Sequence, residues 1–168
     1  PKEYPPERDV SGEEPRIGVF VCHCGVNIGG VVNVPEVVEY AKKLPNVVYA
    51  EHNLYTCSQD TQKAIREKIK EHGLNRVIVA SCTPRTHEPL FRETVREAGL
   101  NIYLFEMANI RELCSWCHAH YPEEANEKAL DLVPHHAEFG RALTPDHEIV
   151  HVPHVSTAMQ ALLDEPVQ

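Results

Sequence analysis

The sequence lacks a long apolar run and an excess of basic residues, and each absence excludes a class of function. None of its apolar segments approaches the roughly 20 residues that cross a bilayer. Its formal net charge is -9, whereas a nucleic-acid-binding domain usually presents a basic face. The same acidity disfavours an anionic membrane surface. We therefore expect neither a nucleic-acid partner nor a membrane partner.

A secretory leader is also missing from the first residues. Residues 1–15 read PKEYPPERDVSGEEP, which contains no apolar core of the kind that a signal peptide needs. The stretch is rich in proline and glutamate and shows no periodicity, so we expect residues 1–15 to be a flexible arm. A cytoplasmic location follows as the expectation.

Cysteine, by contrast, is abundant for a chain without signs of export. The six cysteines are Cys22, Cys24, Cys57, Cys82, Cys114 and Cys117. Disulfides are rare in reducing compartments, so metal or redox chemistry is the stronger interpretation of these residues. Buried structural thiols are the simpler alternative, because free cysteine is among the most buried residue types.

Short apolar runs recur along the first two thirds of the chain. They lie at residues 17–21, 47–50, 77–80 and 102–105, and none of them alternates with polar residues. Such runs are typical of strands that are buried on both faces of a parallel sheet. Their spacing of about 30 residues suits strand–helix–strand units. The pattern predicts an α/β domain over residues 16–133, with a four-stranded parallel sheet and covering helices.

Helical patterns fill the gaps between these runs. Ser58 is placed to cap the helix that follows the second strand. Asn109 with Glu112 resembles a capping box for a helix that contains Cys114 and Cys117. We expect the last helix to end before Pro134. Prolines and histidines then interrupt the pattern, so residues 134–168 are predicted to be an irregular tail.

The cysteines follow the predicted strands. Cys22 and Cys24 come after the first strand, Cys57 after the second, Cys82 after the third, and Cys114 after the fourth. The carboxyl ends of parallel strands meet at one edge of the sheet, where open α/β sheets place their ligand sites. Thiolates gathered at one site suit zinc or an iron–sulfur cluster. The sequence therefore predicts a ligand site at this edge.

Four segments of the chain resemble the N-terminal domain of the heterodisulfide reductase A protein. They are RIGVFVCHCGVNIGGVV, LYTCSQDTQ, RVIVASCTPRTHEPLFRE and YLFEMANIRELCSW, and the resemblance covers about residues 16–133. Members of this family are iron–sulfur flavoproteins that belong to cytoplasmic complexes in methanogens and other anaerobes. These complexes reduce the disulfide of coenzyme M and coenzyme B. The resemblance implies one [4Fe–4S] cluster in this domain and an electron-transfer role within such a complex.

The resemblance also selects candidate ligands. Cys22 and Cys24 match the family's CHCG motif, while Cys57, Cys82 and Cys114 each match a further family motif. It favours Cys57, Cys82 and Cys114. For the fourth ligand we prefer Cys24 over Cys22, because Cys24 lies further past the end of the first strand. Cys117 departs from the family pattern and is the least certain candidate.

The glycine-rich dinucleotide loop of the family's flavin domain does not occur in these 168 residues. We therefore expect no FAD on this chain alone. The expected partners are other subunits of a redox complex, either a flavin-containing chain or a second copy, and catalysis by this chain alone is not expected.

Two alternatives of other classes stay open. The chain could be a structural or regulatory docking module that holds zinc or an oxygen-sensitive cluster. It could also be a small dithiol oxidoreductase that uses Cys114 and Cys117, although a thioredoxin-type pair would follow the first strand rather than the fourth. Trp116 is expected to belong to the core.

Overall fold

The fold was analysed in a computed structural model, which describes residues 2–143. Within these residues the chain forms a four-stranded sheet and covering helices. The strands are β1 (Ile17–Cys22), β2 (Val47–Asn53), β3 (Arg76–Ser81) and β4 (Phe105–Asn109). The helices are α1 (Val26–Gly29), α2 (Val34–Ala41), α3 (Gln59–Glu71), α4 (Pro84–Glu97), a π-helix (Arg111–Trp116) and α5 (Pro122–Ala142).

All strand pairs are parallel, in the order β2-β1-β3-β4. The central strands β1 and β3 are buried at every residue, because each is flanked by strands at its edges and by helices on both faces. The predicted α/β class and the four-stranded parallel sheet are thus confirmed. The continuous apolar runs of the sequence reflect burial on both faces.

Two apolar layers cover the two faces of the sheet. On one face α2 and α5 pack on β1 and β3 through Val37, Val38 and Ala129. On the other face α3 and α4 pack through Ile65 and Phe91. The connections that leave β1 and β3 therefore lie on opposite faces, although the two strands are neighbours. Open α/β sheets place their ligand sites at the carboxyl edge, between two turns that diverge in this way.

The fourth strand begins later than the apolar run at residues 102–105 predicts. The side chain of Asn101 accepts a hydrogen bond from the Tyr103 N–H at 2.8 Å, and the Leu104 N–H bonds the Asn101 carbonyl at 3.1 Å. These bonds hold the beginning of the run in a turn. The strand then continues to Asn109. Because Glu106 and Asn109 are polar, the sequence pattern gives no signal for a strand over these residues.

The prediction that the last helix ends before Pro134 is wrong, since α5 continues to Ala142. Pro134 removes one backbone N–H, which costs a hydrogen bond in a helix interior. The helix continues because small buried residues keep its face against the sheet; these are Ala125, Ala129, Val133, Ala137 and Gly140. A Cβ on Gly140 would meet the Cδ1 atom of Ile78 at 2.5 Å. The irregular tail that the sequence predicts is therefore helical over residues 134–142, and the part from residue 144 lies outside the described residues.

The N-terminal segment also differs from the expected flexible arm. It contains no regular helix or strand over residues 2–15, yet it packs against the domain. Val10 is only 1% exposed and joins the layer formed by α3 and α4. The Arg8 side chain donates to the Leu74 carbonyl at 2.8 Å, and the Arg8 N–H bonds the Gly99 carbonyl at 2.7 Å. These contacts fix the segment beneath the amino edge of the sheet.

The predicted cap of α3 is present and offers a test of local stability. The Ser58 Oγ accepts a hydrogen bond from the Thr61 N–H at 3.3 Å. Ser58→Ala leaves that N–H without its partner, so we expect the free energy of unfolding to fall by about 1 kcal/mol. Ser58→Asn keeps an accepting oxygen and should cost only a small part of this. Urea denaturation of the metal-free variants measures both changes, and equal losses would contradict the capping role.

Over residues 2–143, no helix is both long enough and apolar enough to cross a membrane.

Candidate metal centre

The carboxyl edge of the sheet collects four cysteines from three successive turns. Cys22 is the last residue of β1, and Cys24 lies in the turn that follows. Cys57 directly precedes the Ser58 cap of α3, and Cys82 follows the end of β3. The parallel sheet brings these turns together, as the spacing of the cysteines predicts.

The turn after β1 has a backbone that exposes Cys24 at the edge of the sheet. Cys24 and Gly25 both have positive φ angles, of 46° and 56°. A Cβ on Gly25 would lie 2.8 Å from the Tyr55 hydroxyl oxygen, so glycine is required there for both its φ and its size. The sharp turn directs the Cys22 and Cys24 side chains to different surroundings, since Cys22 is buried and Cys24 is half-buried.

The Cys22 sulfur is held by two backbone donors. The Cys24 N–H donates to it with a nitrogen–sulfur distance of 3.2 Å, and the Thr56 N–H does so at 3.3 Å. Hydrogen bonds of this kind favour the thiolate form, which is the form that ligates metals. They also link the first turn to the residue before Cys57.

Cys57 and Cys82 are thiols in poorly hydrated surroundings. Burial raises the pKa of the Cys57 thiol, and the neighbouring Cys22 and Cys24 sulfurs raise it further. Burial likewise raises the pKa of Cys82, which also lies within electrostatic range of Cys24. Binding of a metal cation would stabilise the thiolate form of such crowded thiols, and their protons would be released to solvent.

Arg111, in the first turn of the π-helix, supplies a positive charge at this edge. Its Nη1 donates to the Cys24 sulfur at 3.5 Å, and its Nη2 lies 2.8 Å from the Glu112 Oε1. Its guanidinium stacks on the Trp116 ring at 4.5 Å. Trp116 is 51% exposed, so the expectation that it belongs to the core is wrong. Sequence reasoning missed Arg111, because nothing in its spacing distinguishes it from an ordinary surface arginine.

Cys114 differs from the cysteines at the edge in its burial. It is fully buried in the apolar layer that includes Ala125 and Ala129 of α5. Burial raises the pKa of its thiol to about 11, and the charged groups that act on it are Lys128 and Cys117. Cys117 is exposed and its sulfur donates to the Leu113 carbonyl. Cys114 is thus buried and Cys117 exposed, while Cys24 packs against the same apolar layer as Cys114.

The π-helix explains how Cys114 comes to face the helices. The Ser115 N–H bonds the carbonyl of Ile110, five residues earlier, at 3.1 Å. The predicted cap is present, since the Asn109 side chain accepts from the Glu112 N–H at 3.0 Å. The wider π turn alters the angular spacing of side chains, so that Arg111 faces the edge while Cys114 faces α5.

Buried polar atoms without hydrogen-bond partners concentrate at the same edge. Four of them belong to residues beside the cysteines: Asn53 Oδ1, Thr56 Oγ1, Ser81 Oγ and Glu112 Oε2. Such atoms are uncommon in folded proteins and require an explanation in each case. A bound polar or ionic group at the edge would account for their concentration there.

The donor set distinguishes between kinds of metal group. Within residues 2–143, no three His, Cys, Asp or Glu side chains converge closely enough to hold one metal ion. A cluster of several iron atoms holds its thiolates further apart than a single ion does. Soft thiolate ligands suit zinc and iron–sulfur clusters rather than hard cations such as Mg²⁺ or Ca²⁺. The four cysteines at the edge therefore fit either of these two groups.

No family model matches the chain, whereas curated relatives align with most of it. An iron–sulfur A protein of CoB–CoM heterodisulfide reductase from Methanopyrus kandleri is 63% identical over 121 residues, which are 72% of this chain and 18% of that protein. The A protein of the H(2):CoB-CoM heterodisulfide,ferredoxin reductase from Methanothermobacter marburgensis is 58% identical over 139 residues, which are 83% of this chain and 21% of that protein. A protein of Archaeoglobus profundus that is named as similar to the heterodisulfide reductase A protein is 53% identical over 133 residues, which are 79% of this chain and 19% of that protein.

These identities confirm the resemblance that the sequence motifs indicate. The chain spans about a fifth of the length of the curated relatives it matches. The described residues, with their parallel sheet and cysteine-lined edge, are therefore homologous to a segment of the heterodisulfide reductase A protein.

Proposed function

We propose that this chain is an electron-transfer module that carries one [4Fe–4S] cluster at the carboxyl edge of its sheet. The supporting observation is that the turns at the ends of β1, β2 and β3 bring four cysteines to that one edge. The relative from Methanopyrus kandleri is named an iron–sulfur subunit, which agrees with this chemistry. When bound, the cluster would accept and release single electrons.

The proposed ligands are Cys24, Cys57 and Cys82, together with a fourth cysteine. Cys22 and Cys114 compete for the fourth place. Cys22 lies within electrostatic range of Cys57 and already receives two backbone N–H bonds. Cys114 would have to leave a fully buried position against α5. These contacts support Cys22 as the fourth ligand and leave Cys114 as a packing residue.

The chain's own residues would prepare the edge for the cluster. The backbone N–H groups of Cys24 and Thr56 would hold the Cys22 sulfur in position at the edge. The apolar layers on both faces would exclude water from the sulfur atoms, because Cys24 packs against one layer and Cys57 against the other.

The proposed setting is a cytoplasmic redox complex of the heterodisulfide reductase type. The matched relatives are named as subunits of such reductases. We propose that electrons pass between this domain and either a flavin-containing chain or a second copy of the domain. The described residues show no nucleophile–base pair beside the edge, so the domain would carry electrons rather than transform a substrate.

The dithiol alternative is disfavoured by the state of Cys114. A thiol with a pKa of about 11 is almost entirely protonated at neutral pH, and the thiolate is the nucleophile in disulfide exchange.

Metal analysis tests the proposed function directly. The full chain, purified or reconstituted without oxygen, should contain about four iron and four acid-labile sulfide per chain and absorb broadly near 400 nm. Stoichiometric zinc without sulfide would instead establish the zinc docking module. A colourless protein with neither metal would refute both metal proposals.

A further inference from the structure

The Arg111 guanidinium is fixed at the cysteine-lined edge by contacts on several sides. Nη1 donates to the Cys24 sulfur at 3.5 Å, Nη2 lies 2.8 Å from Glu112 Oε1, and the Trp116 ring packs at 4.5 Å. Only 19% of the Arg111 side chain is exposed. Water and salt therefore screen this charge less than they screen an exposed arginine.

The charge on this guanidinium is permanent. A guanidinium stays protonated in proteins, and its hydrogen bonds to Glu112 and Cys24 hold it in place. Glu112 is itself held in position, because its N–H bonds the Asn109 side chain. Arg111 is thus a fixed cation rather than a mobile surface charge.

The positive end of the Arg111–Glu112 pair faces the thiols. Arg111 donates to the Cys24 sulfur through Nη1, whereas Glu112 bonds the other terminal nitrogen, Nη2. The positive charge is therefore in direct contact with a proposed ligand, and the Glu112 carboxylate is bonded to its far side. The Glu112 carboxylate therefore weakens the influence of Arg111 without cancelling it.

We propose that Arg111 sets the reduction potential of the cluster, a proposal that rests on the cluster proposed above. The reduced cluster carries one more negative charge than the oxidised cluster. A fixed cation beside the ligands therefore stabilises the reduced form more and raises the potential. The hydrogen bond to the Cys24 sulfur acts in the same direction. Arg111 contacts a proposed ligand and no reacting atom, so it is a positioning residue.

A potentiometric titration of the full chain tests this role, with the reduced cluster followed by electron paramagnetic resonance. Arg111→Met removes the charge and keeps much of the apolar side chain. We expect the reduction equilibrium constant to fall about tenfold, which is a shift of about 59 mV to more negative potential for one electron. Arg111→Lys keeps the charge but not the planar fork, so it should recover much of the shift.

Arg141→Met is the matched control. Arg141 lies in the last turn of α5, is 38% exposed and pairs with Glu138, so its loss should leave the potential unchanged. An Arg111→Met variant with full iron and sulfide content and a wild-type potential would overturn the proposal. An equal shift in Arg141→Met would also overturn it, because any change in net charge would then suffice.

A second variant covers the case in which Arg111→Met loses its cluster. Glu112→Gln removes the opposing charge and keeps an accepting oxygen, so the potential should shift to more positive values. Loosening of the fold does not predict this opposite sign. An unchanged or lowered potential in Glu112→Gln would refute the role of Arg111. A wild-type chain without iron and sulfide would refute the proposed function itself, and the proposal for Arg111 with it.

Discussion

Alanine in place of Cys22, Cys24, Cys57 or Cys82 is expected to remove most of the bound iron and sulfide from the full chain. A [4Fe–4S] cluster takes four cysteine thiolates, and these four are the cysteines that the turns after β1, β2 and β3 bring to one edge. Iron and sulfide assays after anaerobic reconstitution measure the loss, and circular dichroism of each metal-free variant checks that the sheet is intact.

The remaining two cysteines supply the controls. Cys117→Ala changes an exposed thiol, and Cys114→Ala changes a thiol packed among alanines of α5. Both variants should keep the full cluster content, although Cys114→Ala leaves a small cavity and should be somewhat less stable. Loss of the cluster in Cys114→Ala together with its retention in Cys22→Ala would show that Cys114 is the fourth ligand.

Phe91→Ala should cost about 3–5 kcal/mol of unfolding free energy. Phe91 is 2% exposed and stacks on Phe105 with 5.9 Å between ring centroids. It therefore joins α4 to the edge strand β4, and its truncation leaves a cavity between them. A loss of this size is a large part of the roughly 5–15 kcal/mol that stabilises a typical domain.

Leu90→Ala provides the comparison at the neighbouring position of α4. Leu90 is 37% exposed, so its truncation should change the stability by less than about 1 kcal/mol. Urea denaturation of both metal-free variants gives the two values. Equal losses would show that the interface between α4 and β4 is not the packed layer described above.

The sequence predicts the sheet well because burial on both faces leaves a simple pattern. The runs at residues 17–21, 47–50 and 77–80 coincide with β1, β2 and β3. The prediction is poorer where local polar hydrogen bonds decide the structure. The Asn101 side chain, for example, holds a turn at Tyr103, so that β4 begins only at Phe105. Pro134 misleads for the opposite reason, since the packing of α5 on the sheet outweighs one lost hydrogen bond.

The candidate site could be located from the sequence, but its composition could not be completed. Topology alone brings Cys22, Cys24, Cys57 and Cys82 to one edge. The direction of Cys114 depends on the π turn, and a strand–helix pattern carries no signal for π geometry. The role of Arg111 depends on side-chain contacts with Cys24 and Trp116, which no spacing rule predicts.

The pairing of β1 with β3 has a consequence for the order in which the protein matures. In this ladder Ile17 pairs with Arg76 and Val21 with Ala80, so the central pair forms only after the chain has closed a long loop that contains β2 and α3. Closing such loops is slow compared with forming local structure. Cys82 remains apart from Cys22, Cys24 and Cys57 until that closure is complete, because β1 pairs with β2 independently of β3. A cluster that uses Cys82 would therefore be inserted only after β3 has joined the sheet.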